Sequence, residues 1–153
     1  MLSHLLHHPQ WIVPLAELHA QAWSHLYTDW NVTTAAAEFR AQHTDGTLPA
    51  TLLLLHDSQL VGSVSLVFDD LPDRPELQPW LASLFILREH RGQGHAATLI
   101  AAAIAFACAA RHPILHLFTE NAATLFQRHG FIPMENITLQ GHPIALLRRT
   151  LQL

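Results

Sequence analysis

The sequence predicts a mixed α/β (α+β) fold, with a mostly antiparallel sheet, one central parallel β-α-β unit and helices on both faces. Three observations predict it. Short apolar runs come in adjacent pairs at 51–68 and 131–151, as the arms of hairpins do. Between the pairs, a strand-like run at 80–87 feeds a turn and a long Ala-rich helix. That helix leads into another short apolar run at 114–118. Parallel neighbours need such a crossover, and it is right-handed in almost all cases. A length of 153 residues corresponds to one domain, 1–153, with enough chain for a buried core.

The elements follow in order. Pro9 to Tyr27 reads as a helix, because Ile12, Leu15, Ala16, Leu18, Ala22, Trp23 and Leu26 fall near helical spacing. No strand is evident before it. Thr33-Thr34 offers N-caps for a second helix through about Gln42, and Asp45-Gly46 closes it. Thr51 to His56 is a Leu run, Asp57-Ser58-Gln59 a turn, and Leu60 to Phe68 an alternating strand. Pro72, Pro75 and Pro79 make Asp69 to Pro79 a loop, and Trp80 to Leu87 is a strand. A helix from about Gln93 to Arg111 stops at His112-Pro113, before the strand Ile114 to Phe118. Asn121 to His129 is a helix closed by Gly130, whose freedom at positive φ suits a C-cap. Phe131 to Leu139 and Ile144 to Leu151 form a last hairpin.

Composition excludes several classes. The charged fraction is 13%, yet half the residues are hydrophobic, so the chain collapses rather than staying disordered. The net charge is −4 and the basic residues are scattered, which opposes nucleic-acid binding and, with it, a toxin acting on charged tRNA. A single cysteine, Cys108, allows no internal disulfide and fits a reducing compartment; it reads as a small buried hydrophobe. Met1 to Gln10 lacks Lys and Arg and has no long apolar core, so it is not a signal peptide. The apolar run Ala96 to Ala110 is shorter than the roughly 20 residues that span a bilayer. A cytoplasmic protein without membrane partners is expected. Thirteen histidines raise the question of a metal. His4, His7 and His8 have helical spacing, and His4 and His8 share a face of such a helix, but no His-Glu-x-x-His pattern occurs and a terminus is a poor rigid site. No metal is expected.

The chemistry concentrates where Leu81-Ala82-Ser83-Leu84-Phe85-Ile86-Leu87 leads through Arg88-Glu89-His90-Arg91-Gly92-Gln93-Gly94-His95-Ala96 into the Ala-rich helix. The first amides of a helix lack intrahelical acceptors, and the helix dipole places partial positive charge there. Glycines let an anion approach the backbone. Together they make a pyrophosphate seat. Two registers overlap on it. Gly92-x-Gly94-x-x-Ala97, with Glu120 ending the next strand, fits a dinucleotide fingerprint. Arg91-x-x-Gly94-x-Ala96 fits an acyl-CoA signature.

The second register resembles the GNAT acetyltransferase superfamily, and the surroundings strengthen that resemblance. Asn121 at a helix start, Phe126 within it and Gly130-Phe131 at its end resemble the family's second motif. Pro79-Trp80-Leu81-Ala82, leading to Leu84 and Ile86, resembles the strand before the acetyl-CoA loop. The likeness spans roughly 50–150 and implies a GNAT-like fold and acetyl-CoA as co-substrate. It implies direct transfer of acetyl to a primary amine of a small molecule or peptide, by a monomer or homodimer. Main-chain groups of Leu84, Phe85, Ile86 and Leu87 would pair with the pantetheine arm, in a gap where the strand splays from its parallel neighbour. The Ile86 amide would be the oxyanion donor. Amides from Gly92, Gln93, Gly94, His95 and Ala96, beside Arg91, would hold the pyrophosphate, and Asn121 would contact the arm. Two departures stand out. The family usually has a strand before its first helix. It also commonly has Tyr, a general acid for the leaving thiolate, where this chain has Phe126. Packing explains Phe126, and its lack of a hydroxyl leaves open a non-catalytic acyl-CoA-binding module. Candidate bases are Glu120 and His116, and Asp69, Asp70, Asp73 and Glu76 are placed to attract a cationic amine.

Overall fold

The computed structural model describes every residue from Met1 to Leu153. The elements are β1 (Leu2–His4), α1 (Ile12–Trp23), α2 (Val32–Arg40), β2 (Ala50–His56), β3 (Gln59–Val67), β4 (Trp80–Ile86), α3 (His95–Ala109), β5 (Ile114–Thr119), α4 (Ala123–Gln127), β6 (Ile132–Leu139) and β7 (His142–Thr150). They form a seven-stranded sheet in the order β1-β2-β3-β4-β5-β7-β6. Only β4 and β5 run parallel. A doubly wound dinucleotide domain is built from several parallel neighbours, so the single pair removes that reading.

The expected fold class holds, with local corrections. A strand does precede the first helix: Leu2 pairs with Leu54 and His4 with Leu52. Three residues are too few to show a period, which hid it. Two 3-10 turns at Leu5–His7 and Pro9–Trp11 then delay α1 to Ile12. The cap of α2 is Asn31 rather than Thr33 or Thr34; its Oδ1 accepts from the Thr34 amide at 2.9 Å. Asp57 and Ser58 sit at φ 49° and 63°, the left-handed pair that a two-residue hairpin turn requires.

Alternation along β2 distributes the core over two faces. Leu53 and Leu55 pack against Leu15, Ala16 and Phe39 of α1 and α2. Leu54 points the other way, into the cluster holding Leu99, Ile100 and Ala103 of α3. Gly62 on β3 marks the closest approach: a Cβ there would lie 2.6 Å from the Phe85 carbonyl oxygen and 2.8 Å from Ile86 Cδ1. No helix is long and apolar enough to cross a membrane.

Two irregularities in β4 shape everything that follows. Ser63 faces Phe85 and Ser65 faces Ala82, so β4 carries one residue more than β3 between those rungs. Ser83 takes up this bulge at φ 54°. On its other edge β4 meets β5 at a single registered pair, Trp80 with His116. Beyond that rung the strands diverge.

Candidate active site

The turn after β4 is an open cradle of amides. Gly92 and Gly94 adopt φ of 75° and 82°, and a Cβ on either would meet nothing within 4 Å. Gly94 caps α3 without a side-chain bond. The first helical amide bonded back is that of Thr98, to the Gly94 carbonyl. The amides of His95, Ala96 and Ala97 are therefore left to a ligand or to water. Arg91 folds back under the turn: its Nε donates to the Ile86 carbonyl at 2.9 Å and its guanidinium lies 5.7 Å from the Phe85 ring centroid. It braces the seat against the end of β4.

On the edge of β4 that faces the gap, the Ile86 amide is unpaired although the Ile86 carbonyl is taken by Arg91. Leu87 donates its amide to Val61 on β3 at 2.9 Å. Successive amides of an extended strand point to opposite edges, so the Ile86 N–H points away from β3, toward β5. A cavity of about 180 Å³ opens in the gap, walled by Leu81 to Leu84 on one side and Leu117 to Ala122 on the other, with Phe126 at its base. Phe126 is 5% exposed and stands edge-on to Phe131 at 6.0 Å, as a packing residue does. Asn121 lines this cavity just before α4, where Thr119 Oγ1 accepts from the Ala122 amide at 3.0 Å.

A larger cavity of about 770 Å³ lies beneath α1 and α2. It shares Trp23, Leu26, Tyr27, Asp70, Ala82 and Ser83 with the smaller one, so the two meet at a common wall. Its lining includes Asp29, Glu38, Asp69, Asp70 and Asp73 and no arginine. Trp30 Nε1 and Gln42 Oε1, both from the lining, are buried without a partner in the protein.

Asp70 and Tyr27 dominate that common wall. The Tyr27 hydroxyl donates to Asp70 Oδ1 at 2.8 Å, leaving Oδ2 unengaged by the protein. Burial pushes the Asp70 carboxyl up to about 7, against the lowering pull of the Tyr27 hydrogen bond, and the nearby Glu38 adds to the rise. Burial and the Asp70 charge hold the Tyr27 phenol well above its ordinary value. Partial desolvation raises Glu38. Burial drives His19, at 1% exposure, down to about 3, so this imidazole is neutral.

The residues expected from the sequence are thus partly gathered. Leu84, Asn121, Phe126 and Glu120 line the smaller cavity, while the amides of Gly92 to Ala96 and of Ile86 have no acceptor within the backbone. His116 lines neither cavity. Its Nδ1 lies 3.1 Å from the Pro79 carbonyl, its ring lies 5.6 Å from that of Trp80, and burial lowers its pKa. Glu120 reaches the cavity wall but is engaged by His25, Nε2 to Oε1 at 2.7 Å. Of the four loop acids, Asp69 accepts from Gln78 and Glu76 pairs with Arg74, while Asp73 stays on the larger cavity and Asp70 alone reaches both. Sequence reasoning missed the pairing of Tyr27 with Asp70. The one signal available was that the chain has a single tyrosine.

Residues 49–133 match the family model described as an acetyltransferase (GNAT) domain. A search of curated proteins finds no match. Among solved structures, the ribosomal-protein-alanine N-acetyltransferase from Brucella melitensis is similar over 99% of both chains, with a TM-score of 0.77 at 17% identity. An aminoglycoside 6'-N-acetyltransferase complexed with coenzyme A covers 100% of this chain and 98% of its own, with a TM-score of 0.76 at 12% identity. A GNAT family acetyltransferase from Elizabethkingia anophelis with acetyl-CoA bound covers 67% of this chain and 76% of its own, at 19% identity and a TM-score of 0.54. At these identities the likeness is one of fold.

Proposed function

Because the chain belongs to the GNAT acetyltransferase family, we propose that it is an acetyl-CoA-dependent N-acetyltransferase that moves acetyl directly to a primary amine of a small molecule or peptide. One observation carries the reading. A narrow cleft beside a strand edge and a wide acidic cavity meet at a wall that holds Asp70 and Tyr27. The co-substrate supplies an acetyl group activated as a thioester. The chain supplies the rest. Amides of Gly92 to Ala96 hold the pyrophosphate, the gap beside Leu84 to Leu87 takes the extended arm with Asn121 opposite, and the Ile86 amide receives the developing oxyanion. The seat fits such a group, since its glycines leave open space and its amides are free.

The acidic cavity concentrates a cationic amine and orients it toward the cleft. An alkylammonium with a pKa about 10.4 must lose a proton before it attacks. Asp70 takes that proton, in place of His116 and Glu120, because its free Oδ2 stands at the junction and its carboxyl titrates at about 7. The departing thiolate needs a proton that Phe126 cannot give. The Tyr27 hydroxyl gives it and takes the proton of Asp70 in turn, and the regenerated Asp70 carboxylate passes to solvent the second proton that the nitrogen sheds as the amide forms. The net movement, from a carboxylic acid at about 7 to a thiol near 8.5, is downhill. The single free Cys108 suits the reducing cytoplasm, where acetyl-CoA is made and used.

The test is thermal shift with acetyl-CoA, CoA and NAD side by side, followed by thiol release against a panel of amines. A ligand at 100 times its Kd stabilises by about 2.7 kcal/mol, a readable rise in Tm. A rise with acetyl-CoA and CoA but not NAD, then turnover of an amine, is expected. Phe126 favours a second reading, a non-catalytic acyl-CoA-binding module. Tight binding with no thiol release from any amine would establish that module and sink the enzyme.

A further inference from the structure

Two of the thirteen histidines converge on a carboxylate, and the transfer chemistry uses none of the three. His25 follows α1, Glu120 follows β5 and His142 opens β7. Their ligand atoms all lie within 4.8 Å of one another. His25 Nε2 is 2.7 Å from Glu120 Oε1, and His142 Nδ1 is 3.9 Å from Glu120 Oε2. The two imidazoles meet edge to face, 4.8 Å between centroids. A hydrogen bond between His25 and Glu120 explains one histidine and leaves the second without a role. It also leaves unexplained why three distant parts of the chain bring their nitrogen and oxygen atoms to one point.

We propose that His25, Glu120 and His142 are the protein ligands of a divalent transition-metal ion, held at the outer edge of the smaller cavity. Two imidazoles and a carboxylate are a donor set that zinc favours, with a fourth position left for water. Bond lengths of about 2.0–2.1 Å in a tetrahedral site put ligand atoms about 3.3 Å apart. The separations here, from 2.7 Å to no more than 4.8 Å, bracket that spacing. Side-chain exposures of 38%, 32% and 43% leave His25, Glu120 and His142 room to close the difference by rotation. The backbone segments around them are tied together. Gln140 and Gly141, at φ 48° and 78°, form the tight turn that delivers His142. Gln140 Nε2 donates to Thr28 Oγ1 at 3.1 Å, tying that turn to the segment that carries His25. The same segment supplies Leu26 and Tyr27 to both cavities. An ion here clips the amine-side wall to the ends of β5 and β7.

The experiment uses the full chain without an affinity tag, stripped with a chelator and titrated with zinc by calorimetry. Cobalt is the spectroscopic probe. One equivalent is expected, with the visible bands of four-coordinate cobalt. His25→Ala and His142→Ala, checked by circular dichroism, should each weaken zinc binding by at least the roughly 10–100-fold typical of losing a mere supporting residue. Glu120→Gln, which keeps the packing, should do the same. His7→Ala/His8→Ala should bind as the parent does. No stoichiometric uptake by the parent would overturn the proposal. So would uptake that survives the His25→Ala/His142→Ala pair, since the metal would then sit on other histidines. Binding is read without any transfer assay, so these outcomes stand apart from the fate of the enzymatic reading.

Discussion

The two sides of the cleft are assembled by different means. The side proposed to take the thioester comes mostly from one stretch of chain, Leu81 to Ala96, and offers mainly backbone: a bulge at Ser83, the unpaired Ile86 amide, and a glycine turn that opens α3. The side proposed to take the amine is gathered from far apart, with Tyr27 and Asp70 separated by 43 positions, and it offers side chains. A site made of main-chain groups needs only the right local conformation, which a short motif specifies. A site made of side chains needs a fold to bring it together. Its residue types remain free to vary with the acceptor.

Asp70→Asn should separate the two sides most strongly. Loss of the base lowers turnover by about 10²–10⁴-fold, while acetyl-CoA affinity stays as it was. A parallel loss of affinity would show that the sides are not independent. In the parent, the rate should climb with pH through about 7 as Asp70 ionises, and the variant should lack that rise. Stability moves the other way. Folded Asp70 keeps its proton up to about 7, against about 3.9 unfolded, so the native state binds more protons between those values and loses stability as pH rises through them. The Asn variant should escape that loss and melt higher than the parent at pH 8.

Gly62→Ala tests the thioester side from behind. The new methyl meets the Phe85 carbonyl at 2.6 Å, and a backbone atom yields only by moving the strand. A stability loss of about 1–3 kcal/mol is expected, together with weaker acetyl-CoA binding as Phe85 and Ile86 shift. Chemical denaturation and calorimetry would read both; unchanged acetyl-CoA affinity would detach the strand position from the seat. The smallest effect at neutral pH is that of His19→Gln, which shows itself only in acid. Buried His19 titrates at about 3, against about 6.5 unfolded, so the unfolded state takes up the extra proton and stability falls as pH drops below 6.5. The variant should lose up to about 1.4 kcal/mol per pH unit of that slope in denaturant melts between pH 6.5 and 4. An unchanged slope would place the acid sensitivity elsewhere.

How much of this the sequence reveals follows the same division. Glycine spacing and the strand before it point to the seat, because Gly92 and Gly94 are needed for their φ values alone. The element order predicts a single parallel pair among hairpins, and the sheet has it. Strand β1 escapes because three residues have no period. His116 suggests a base by its place on a central strand, but only coordinates reveal that the Pro79 carbonyl occupies it. Four acids crowd the loop after β3, and no local rule distinguishes Asp70, whose environment is set by Tyr27 across the fold. His25 and His142 belong to separate stretches and share no spacing, whereas the helically spaced His4 and His8 are taken up locally, by the Leu6 amide and by Ser3.

The lone rung between β4 and β5 also sets how the molecule trades hydrogen for deuterium. Sheets ordinarily protect their middle strands and leave their margins to exchange. Here two inner edges lie open beside the Trp80–His116 pair. The amide of Ile86 belongs, by its hydrogen bonding, to the rim of a gap whose two flanking strands, β4 and β5, are well laddered on their far sides. In the free protein it is expected to label like a loop. On the proposed reading, an arm that acts as the missing strand should turn these fast-exchanging amides into some of the slowest, so occupancy would be read from the mass of one peptide around residues 80–90.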